Sequence, residues 1–302
     1  MCATCGCSGT LGTESVTLQG HDRAHAHEHS HSHDPHHHEH DHGPSHSHSH
    51  AHKEEQSADG RGMDATASRT VKLEQEILAK NRLLAERNRG WLQGREIFAV
   101  NLMSAPGSGK TTLLERTVRA LGKDVAVSVI EGDQETRLDA ERIRAAGAHV
   151  VQINTGTGCH LDAQMLGQSL HELSPAVGSL LFVENVGNLV CAALFDLGEA
   201  ARVVIASTTE GEDKPLKYPH MFRAADLILL NKVDLLPHLD FEVDRFTMHV
   251  RSVNPAASVL RVSATRGDGL PEWYRWLSAR DSGRRSGWAS QAEERDGRAR
   301  RA

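Results

Sequence analysis

The sequence SAPGSGKTT, at residues 104–112, decides the fold of this 302-residue chain. It follows the apolar run 97–103, which has the composition of a buried β-strand, and it precedes a helix-like stretch at 111–121. In such a unit the glycines allow backbone N–H groups to turn inward around phosphate oxygens at the start of the helix. The sequence therefore predicts a phosphate-binding loop.

Six residues of this loop are candidate nucleotide contacts: Gly107, Ser108, Gly109, Lys110, Thr111 and Thr112. We expect Lys110 to reach the β- and γ-phosphates as a catalytic cation, and the hydroxyl of Thr111 to ligate Mg²⁺. Ser104 stands where the motif usually has its first glycine, so the chain departs from the pattern at one position.

Short apolar runs alternate with helix-like stretches along the rest of the chain. Predicted strands cover residues 97–103, 125–130, 150–153, 180–183, 203–206, 227–230 and 259–262, and predicted helices cover 70–89, 111–121, 139–146, 161–173, 241–253 and 271–279. Strands that are apolar throughout and separated by helices indicate a parallel sheet buried on both faces. The predicted fold class is α/β, with a doubly wound, mostly parallel sheet.

The composition divides the chain into four segments. Residues 21–52 contain 15 of the 21 histidines and no large apolar residue, so they cannot bury enough surface to offset the entropy of folding. We predict a cysteine-containing metal-binding segment at 1–20, a disordered histidine-rich metal-binding tract at 21–68, a P-loop domain at 69–280 and a disordered tail at 281–302.

Several classes of protein are disfavoured by the composition. The net charge is −6 and no long basic stripe occurs, which argues against a nucleic-acid partner. No apolar run approaches the ~20 residues of a membrane span, and the first residues lack the pattern of a secretory signal. We therefore expect a cytoplasmic protein without a membrane partner.

The nucleotide base is predicted to lie against a second loop, NKVD at residues 231–234, which follows the strand 227–230. The carboxylate of Asp234 can accept two hydrogen bonds from guanine, and Lys232 can lay its aliphatic stem along the base. Asn231 belongs to the same loop, and Ser263 and Ala264 follow the last predicted strand nearby. We predict GTP rather than ATP.

Two acidic segments at strand ends are candidates for the Mg²⁺ shell. Asp133 ends the segment EGD, and Glu184 begins the segment ENVG; Asp133 is the first choice and Glu184 the second. Gly187 could turn its amide toward the γ-phosphate. No arginine can be assigned to the transition state from the sequence, so we expect slow hydrolysis.

A transition-metal site is predicted from Cys159, His160 and Cys191. Two thiolates and an imidazole suit Zn²⁺ or Ni²⁺ better than Mg²⁺. Three ligands leave such a site incomplete, so the fourth would be water or a residue of a second subunit.

A second metal site is predicted at the N-terminus, where Cys2, Cys5 and Cys7 can wrap one ion. The His-x-His repeats of the tract offer many imidazoles without fixed geometry. We expect that tract to bind several divalent ions weakly and unselectively.

Together these motifs resemble the HypB family of hydrogenase maturation nickel GTPases. The motifs that carry the resemblance are CATCGC at 2–7, PGSGKTT at 106–112, EGD at 131–133, NTGTGCHLDA at 154–163, ENVGNLVC at 184–191 and NKVD at 231–234. The likeness runs from Leu73 to about Leu277 and includes the N-terminal cysteines.

The resemblance implies a GTPase that forms a homodimer when GTP is bound. It further implies delivery of Ni²⁺ to the large-subunit precursor of [NiFe]-hydrogenase, together with a HypA-type nickel chaperone. On this analogy Cys2, Cys5 and Cys7 form the tighter nickel site, and the other three ligands form a nickel or zinc site in the GTPase domain. Two alternatives stay open, a urease accessory GTPase and a protein that chiefly buffers nickel or zinc.

Overall fold

The structure, a computed structural model, describes residues 60–133, 138–156 and 158–281. The predictions for the N-terminal cysteines, for residues 21–59 of the histidine-rich tract and for the tail from 282 onward lie outside these residues. The structure begins a helix at Gly60, so residues 60–68, which were predicted to be disordered, are helical. The predicted domain boundaries therefore stay predictions.

The core of the fold is a seven-stranded sheet in which every adjacent pair of strands is parallel. The strands are β1 Phe98–Ser104, β2 Val127–Asp133, β3 His149–Asn154, β4 Leu180–Glu184, β5 Ala201–Ser207, β6 Leu227–Asn231 and β7 Ser258–Arg261. Their order across the sheet is β3-β2-β4-β1-β5-β6-β7. All seven predicted strands are present, and the predicted doubly wound α/β class is confirmed.

Nine α-helices lie within the described residues. They are α1 Gly60–Gly94, α2 Lys110–Leu121, α3 Leu138–Ala145, α4 Ala163–Leu173, α5 Cys191–Leu194, α6 Lys214–Lys217, α7 Pro219–Arg223, α8 Val243–Val253 and α9 Leu270–Arg280. Short 3₁₀ helices follow β5 and β6, at Thr208–Glu210 and Val233–His238. Among the helices of this described part, none is long and apolar enough to cross a membrane.

Some predicted helix bounds were wrong. The first helix does not end before Gly90 but continues to Gly94, because Leu92 packs into the core beside Ile97. That burial outweighs the cost of a glycine inside a helix, about 1 kcal/mol. The fourth helix begins at Ala163 rather than 161, because the side chain of Asp162 caps it by accepting a hydrogen bond from the Met165 amide, 2.8 Å.

Strand β1 lies at the centre of the sheet and is buried along its whole length. Phe98, Val100 and Leu102 pack into the cluster that includes α2 and α9, whereas Ala99 packs on the opposite side with residues of α1 and α4. This alternation covers both faces of the sheet with helices. Because all strands are parallel, the segments that follow β1, β2, β4 and β6 meet at one edge, where ligands bind in folds of this kind.

Candidate functional site

The loop between β1 and α2 has the backbone of a phosphate cradle. Gly107 and Gly109 have φ angles of +71° and +97°, a region that favours glycine, and Gly109 immediately precedes the first turn of α2. A Cβ on Gly109 would lie 2.5 Å from the side-chain nitrogen of Asn231. Glycine is therefore required here both by the turn and by the close approach of the base-binding loop.

The serine that replaces the usual first glycine has a defined partner. The ammonium of Lys110 donates to the hydroxyl of Ser104, with Nζ and Oγ 2.9 Å apart, and Ser104 is fully buried at the end of β1. Burial lowers the pKa of Lys110, while the charges of Glu184, Asp139, Glu131 and Asp133 oppose that shift. The predicted phosphate-binding lysine is thus held in place by Ser104, in the field of four carboxylates.

Two buried carboxylates lie beside this lysine, at the ends of neighbouring strands. Glu131 of β2 and Glu184 of β4 are register partners and are 2% and 4% exposed. Glu184 accepts a hydrogen bond from Thr111, with Oγ1 and Oε1 2.8 Å apart. Within the described residues, the Oε2 atom of each glutamate is buried and has no hydrogen-bond partner.

The electrostatics of this pair fit a divalent cation. Burial, together with the charges of Glu184 and Asp133, raises the pKa of Glu131 to about 8. Burial also raises the pKa of Glu184, against the opposing charge of Lys110. Orphaned carboxylate oxygens beside a threonine hydroxyl are the hard ligands that Mg²⁺ takes. Asp133 and Glu184 were predicted from the sequence, whereas Glu131, which belongs to the same EGD segment as Asp133, was not.

The loop after β6 is tied to the phosphate loop and to the segment after β7. Asn231 donates to the Ser108 carbonyl, 2.8 Å, and accepts from the Ala264 amide, 3.0 Å. Asp234 accepts a 2.6 Å hydrogen bond from the hydroxyl of Ser263. These bonds place Asp234 and the Ser263 segment side by side, at the position predicted for the base.

Lys232 also connects the loop after β6 to the phosphate loop. Its ammonium donates to the Gly107 carbonyl, 2.8 Å, so its chain extends from the base loop to the phosphate loop. Its backbone has a φ of +61°, and the hydroxyl of Thr208 donates to its carbonyl, 2.9 Å. The sequence analysis gave Thr208 no role.

The segment 184–191 connects the nucleotide site to the predicted metal ligands. Gly187 lies against the phosphate loop, since a Cβ there would be 3.1 Å from the Cα of Pro106. The side chain of Asn185 accepts from the Leu161 amide, 3.2 Å, and that of Asn188 accepts from the Cys191 amide, 3.1 Å. Asn185 was missed because nothing in the sequence pairs it with residue 161.

The structure brings Cys159, His160 and Cys191 together. One ligand atom from each lies within 4.8 Å of the others, and no other cluster of three such residues occurs among those that the structure describes. The Cys159 sulfur and His160 Nδ1 are 3.5 Å apart, and the imidazole stacks on Phe195 with ring centroids 3.9 Å apart. Burial lowers the pKa of His160, partly offset by Asp162, which favours the neutral imidazole that binds metals.

Comparison with known proteins places this geometry in a family. The model of the CobW/HypB/UreG nucleotide-binding domain matches residues 98–261. The hydrogenase maturation factor HypB of Azotobacter vinelandii is 59% identical over 210 residues, which are 70% of this chain and 69% of that protein. The chain belongs to the HypB family.

Solved HypB structures share the fold. The HypB of Archaeoglobus fulgidus gives a TM-score of 0.64 at 42% identity, covering 68% of this chain and 100% of that one. The HypB of Helicobacter pylori, solved in complex with nickel, gives 0.63 at 35% identity, covering 68% and 96%. This HypB family member is therefore a P-loop GTPase of the hydrogenase maturation class, as the motifs predicted.

Proposed function

We propose that this chain is a slow, Mg²⁺-dependent GTPase that binds Ni²⁺ and helps insert it into the large-subunit precursor of [NiFe]-hydrogenase. The observation that carries the proposal is the cluster of Cys159, His160 and Cys191, of which Cys191 ends the segment 184–191 that begins in the nucleotide site. Family membership and the nickel complex of the Helicobacter pylori relative support it.

The GTPase reaction is assigned to groups at the edge of the sheet. Lys110 would hold the β- and γ-phosphates, and Asp234 would accept hydrogen bonds from guanine N1–H and the exocyclic amine. A bound Mg²⁺ would be held by Thr111 and the carboxylates of Asp133 and Glu184, and would neutralise charge on the phosphates. Glu131, next to this shell, would hold a proton until the cation arrives.

The metal site is assigned to nickel or zinc. Two thiolates and a neutral imidazole are ligands that both ions accept, and a fourth ligand would come from water or from a second copy of the chain. If GTP brings two copies together at this face, symmetry doubles the ligands available to one ion. We therefore propose a homodimer that forms in the GTP-bound state.

The segment 184–191 would couple the two sites. Glu184 and Gly187 contact the phosphate loop, while Asn185 and Asn188 hold Leu161 and Cys191. A movement of this segment on hydrolysis would displace Cys191 relative to Cys159. The metal site would then differ in affinity between the GTP and GDP states.

In this proposal the N-terminal extension captures and stores nickel ions. Cys2, Cys5 and Cys7 would form the tighter nickel site, and the histidine tract would hold further ions weakly. A HypA-type chaperone is the proposed partner in delivery, and the cytoplasm is the proposed location. Deletion of residues 20–53 should reduce the number of Ni²⁺ ions bound at saturation while sparing the tightest one; loss of the tightest ion instead would reverse these roles.

The test of the function is deletion of the gene, followed by hydrogenase and urease assays with and without added nickel. The proposal predicts that hydrogenase activity is lost, is partly restored by nickel, and is restored by the wild-type gene but not by the Cys191→Ala gene. Loss of urease activity alone would identify a urease accessory protein. Unchanged activity of both enzymes, with less nickel in the cells, would identify a buffer.

A further inference from the structure

Helix α1 carries two buried asparagines on the face that packs against α4. Asn81 and Asn88 are each 6% exposed and lie seven residues apart, which places them on the same side of the helix two turns from each other. A buried amide persists in a helix only when its polar atoms find partners. Their partners are the main chain of two segments that lead away from the metal cluster.

The side-chain amide of Asn81 forms hydrogen bonds with both of these segments. Its oxygen accepts a hydrogen bond from the Ala163 amide, 2.9 Å, and its nitrogen donates to the Asp196 carbonyl, 2.7 Å. Ala163 lies three residues after His160, and Asp196 lies five residues after Cys191.

Asn88, two turns after Asn81 on α1, also forms hydrogen bonds with both segments. Its nitrogen donates both to the Ala163 carbonyl, 2.7 Å, and to the Leu197 carbonyl, 3.0 Å. The turn around residue 198 is pressed against the helix backbone, because a Cβ on Gly198 would lie 2.8 Å from the Arg89 amide. Arg89 also pairs with Asp196, 2.7 Å.

The two segments that carry the candidate ligands are thus hydrogen-bonded to α1 a few residues after those ligands. Between Cys191 and the hydrogen-bonded Asp196, Phe195 stacks on the ring of His160. The chain downstream of His160 and the chain downstream of Cys191 are therefore both hydrogen-bonded to the same helix.

We propose that Asn81 and Asn88 are positioning residues of the Cys159–His160–Cys191 site, which hold its two ligand-bearing segments at the separation that a metal ion needs. The inference rests on the proposed function, since it assumes that this cluster binds a metal. A site whose ligands are already held together does not have to order two loops on binding, so it binds more tightly.

A purely structural role for the two asparagines makes a different prediction, and the chain offers a matched control. Asn254 is also buried, at 9% exposure, and donates to the carbonyls of Phe222, Arg223 and Ala225, at the end of α7 and just before β6. Replacing Asn254 removes a comparable set of hydrogen bonds, none of which is made to either ligand-bearing segment.

The test uses the full chain with Cys2, Cys5 and Cys7 changed to serine, so that thiolate absorption reports only the inner site. Asn81→Ser, Asn88→Ser and Asn254→Ser are compared with this parent by Co²⁺ titration against a competing chelator, followed at the thiolate-to-cobalt charge-transfer band. Thermal unfolding of each variant is recorded alongside, and folded fractions are matched before titration.

We expect Asn81→Ser and Asn88→Ser each to weaken Co²⁺ binding by about tenfold or more and to shift the charge-transfer band, as loss of a group that orients ligands does. Asn254→Ser should lower the unfolding temperature and leave the band and the affinity as in the parent. Equal cobalt affinity in all four proteins, or an equal loss in Asn254→Ser, would overturn the inference. If the parent itself shows no thiolate band, the proposed metal site fails, and this inference fails with it.

Discussion

Thr111 donates a hydrogen bond to Glu184, with Oγ1 and Oε1 2.8 Å apart, and so joins the first turn of α2 to the end of β4. The next residue, Asn185, accepts a hydrogen bond from the amide of Leu161, which follows the Cys159-His160 pair. Two consecutive residues of one segment thus contact the phosphate loop and the segment that carries two of the candidate metal ligands.

Glu184→Gln should weaken Mg²⁺ binding and so raise the Mg²⁺ concentration that GTP hydrolysis requires. The change keeps the shape of the side chain but removes the charge that orients the Thr111 hydroxyl, so we expect the Mg²⁺ concentration for half-maximal activity to rise about 10–100-fold. Activity is measured over a Mg²⁺ titration, with Glu141→Gln, an exposed residue of α3, as the control of equal charge. An unchanged Mg²⁺ requirement would remove Glu184 from the metal shell.

Glu131→Gln should change how stability depends on pH. The folded state raises the pKa of Glu131 from 4.5 to about 8, so this group's contribution to stability is full below pH 4.5 and is lost as the pH rises through about 8. The free energy of unfolding of the variant, relative to wild type, should therefore increase with pH across that window. The measurement is urea unfolding at a series of pH values without Mg²⁺ or nucleotide. A constant difference would show that Glu131 is ionised throughout.

Asp234→Asn should exchange the base specificity. The asparagine amide would donate to the C2 carbonyl of xanthine, where the carboxylate accepted from the exocyclic amine of guanine. Lost buried hydrogen bonds of this kind cost about 1–3 kcal/mol, so GTP should bind more weakly and xanthosine triphosphate more tightly in a calorimeter. Equal affinity of the wild-type protein for ATP and GTP would refute the base assignment.

The sheet could be predicted from the sequence because each strand is a short, mostly apolar run bounded by helix-like stretches. The strands β1 and β4 illustrate this, since both are buried along their whole length. The helices α5, α6 and α7 were not predicted, because four or five residues are too few to show a helical period.

The site residues could be predicted from the sequence only where they belong to a motif with a recognisable chemical role. Lys110 and Asp234 belong to such motifs, whereas Glu131 becomes notable only because β2 pairs with β4, a strand that is not its neighbour in the sequence. The bond from Lys110 to Ser104 was missed because the motif leads one to expect a glycine there. The hydrogen bonds from Asn81 to Ala163 and Asp196 likewise join distant parts of the chain, so the sequence did not reveal them.

Control of the metal affinity by the nucleotide state is the central proposal for this protein. Its most direct test is a Ni²⁺ titration of the full chain with Cys2, Cys5 and Cys7 changed to serine, loaded either with GDP or with a non-hydrolysable GTP analogue, and followed by thiolate-to-nickel absorption. The account predicts affinities that differ by about 1–3 kcal/mol, or 5–150-fold, and a difference that Asn185→Ala diminishes. Equal nickel affinity in the two nucleotide states would contradict it.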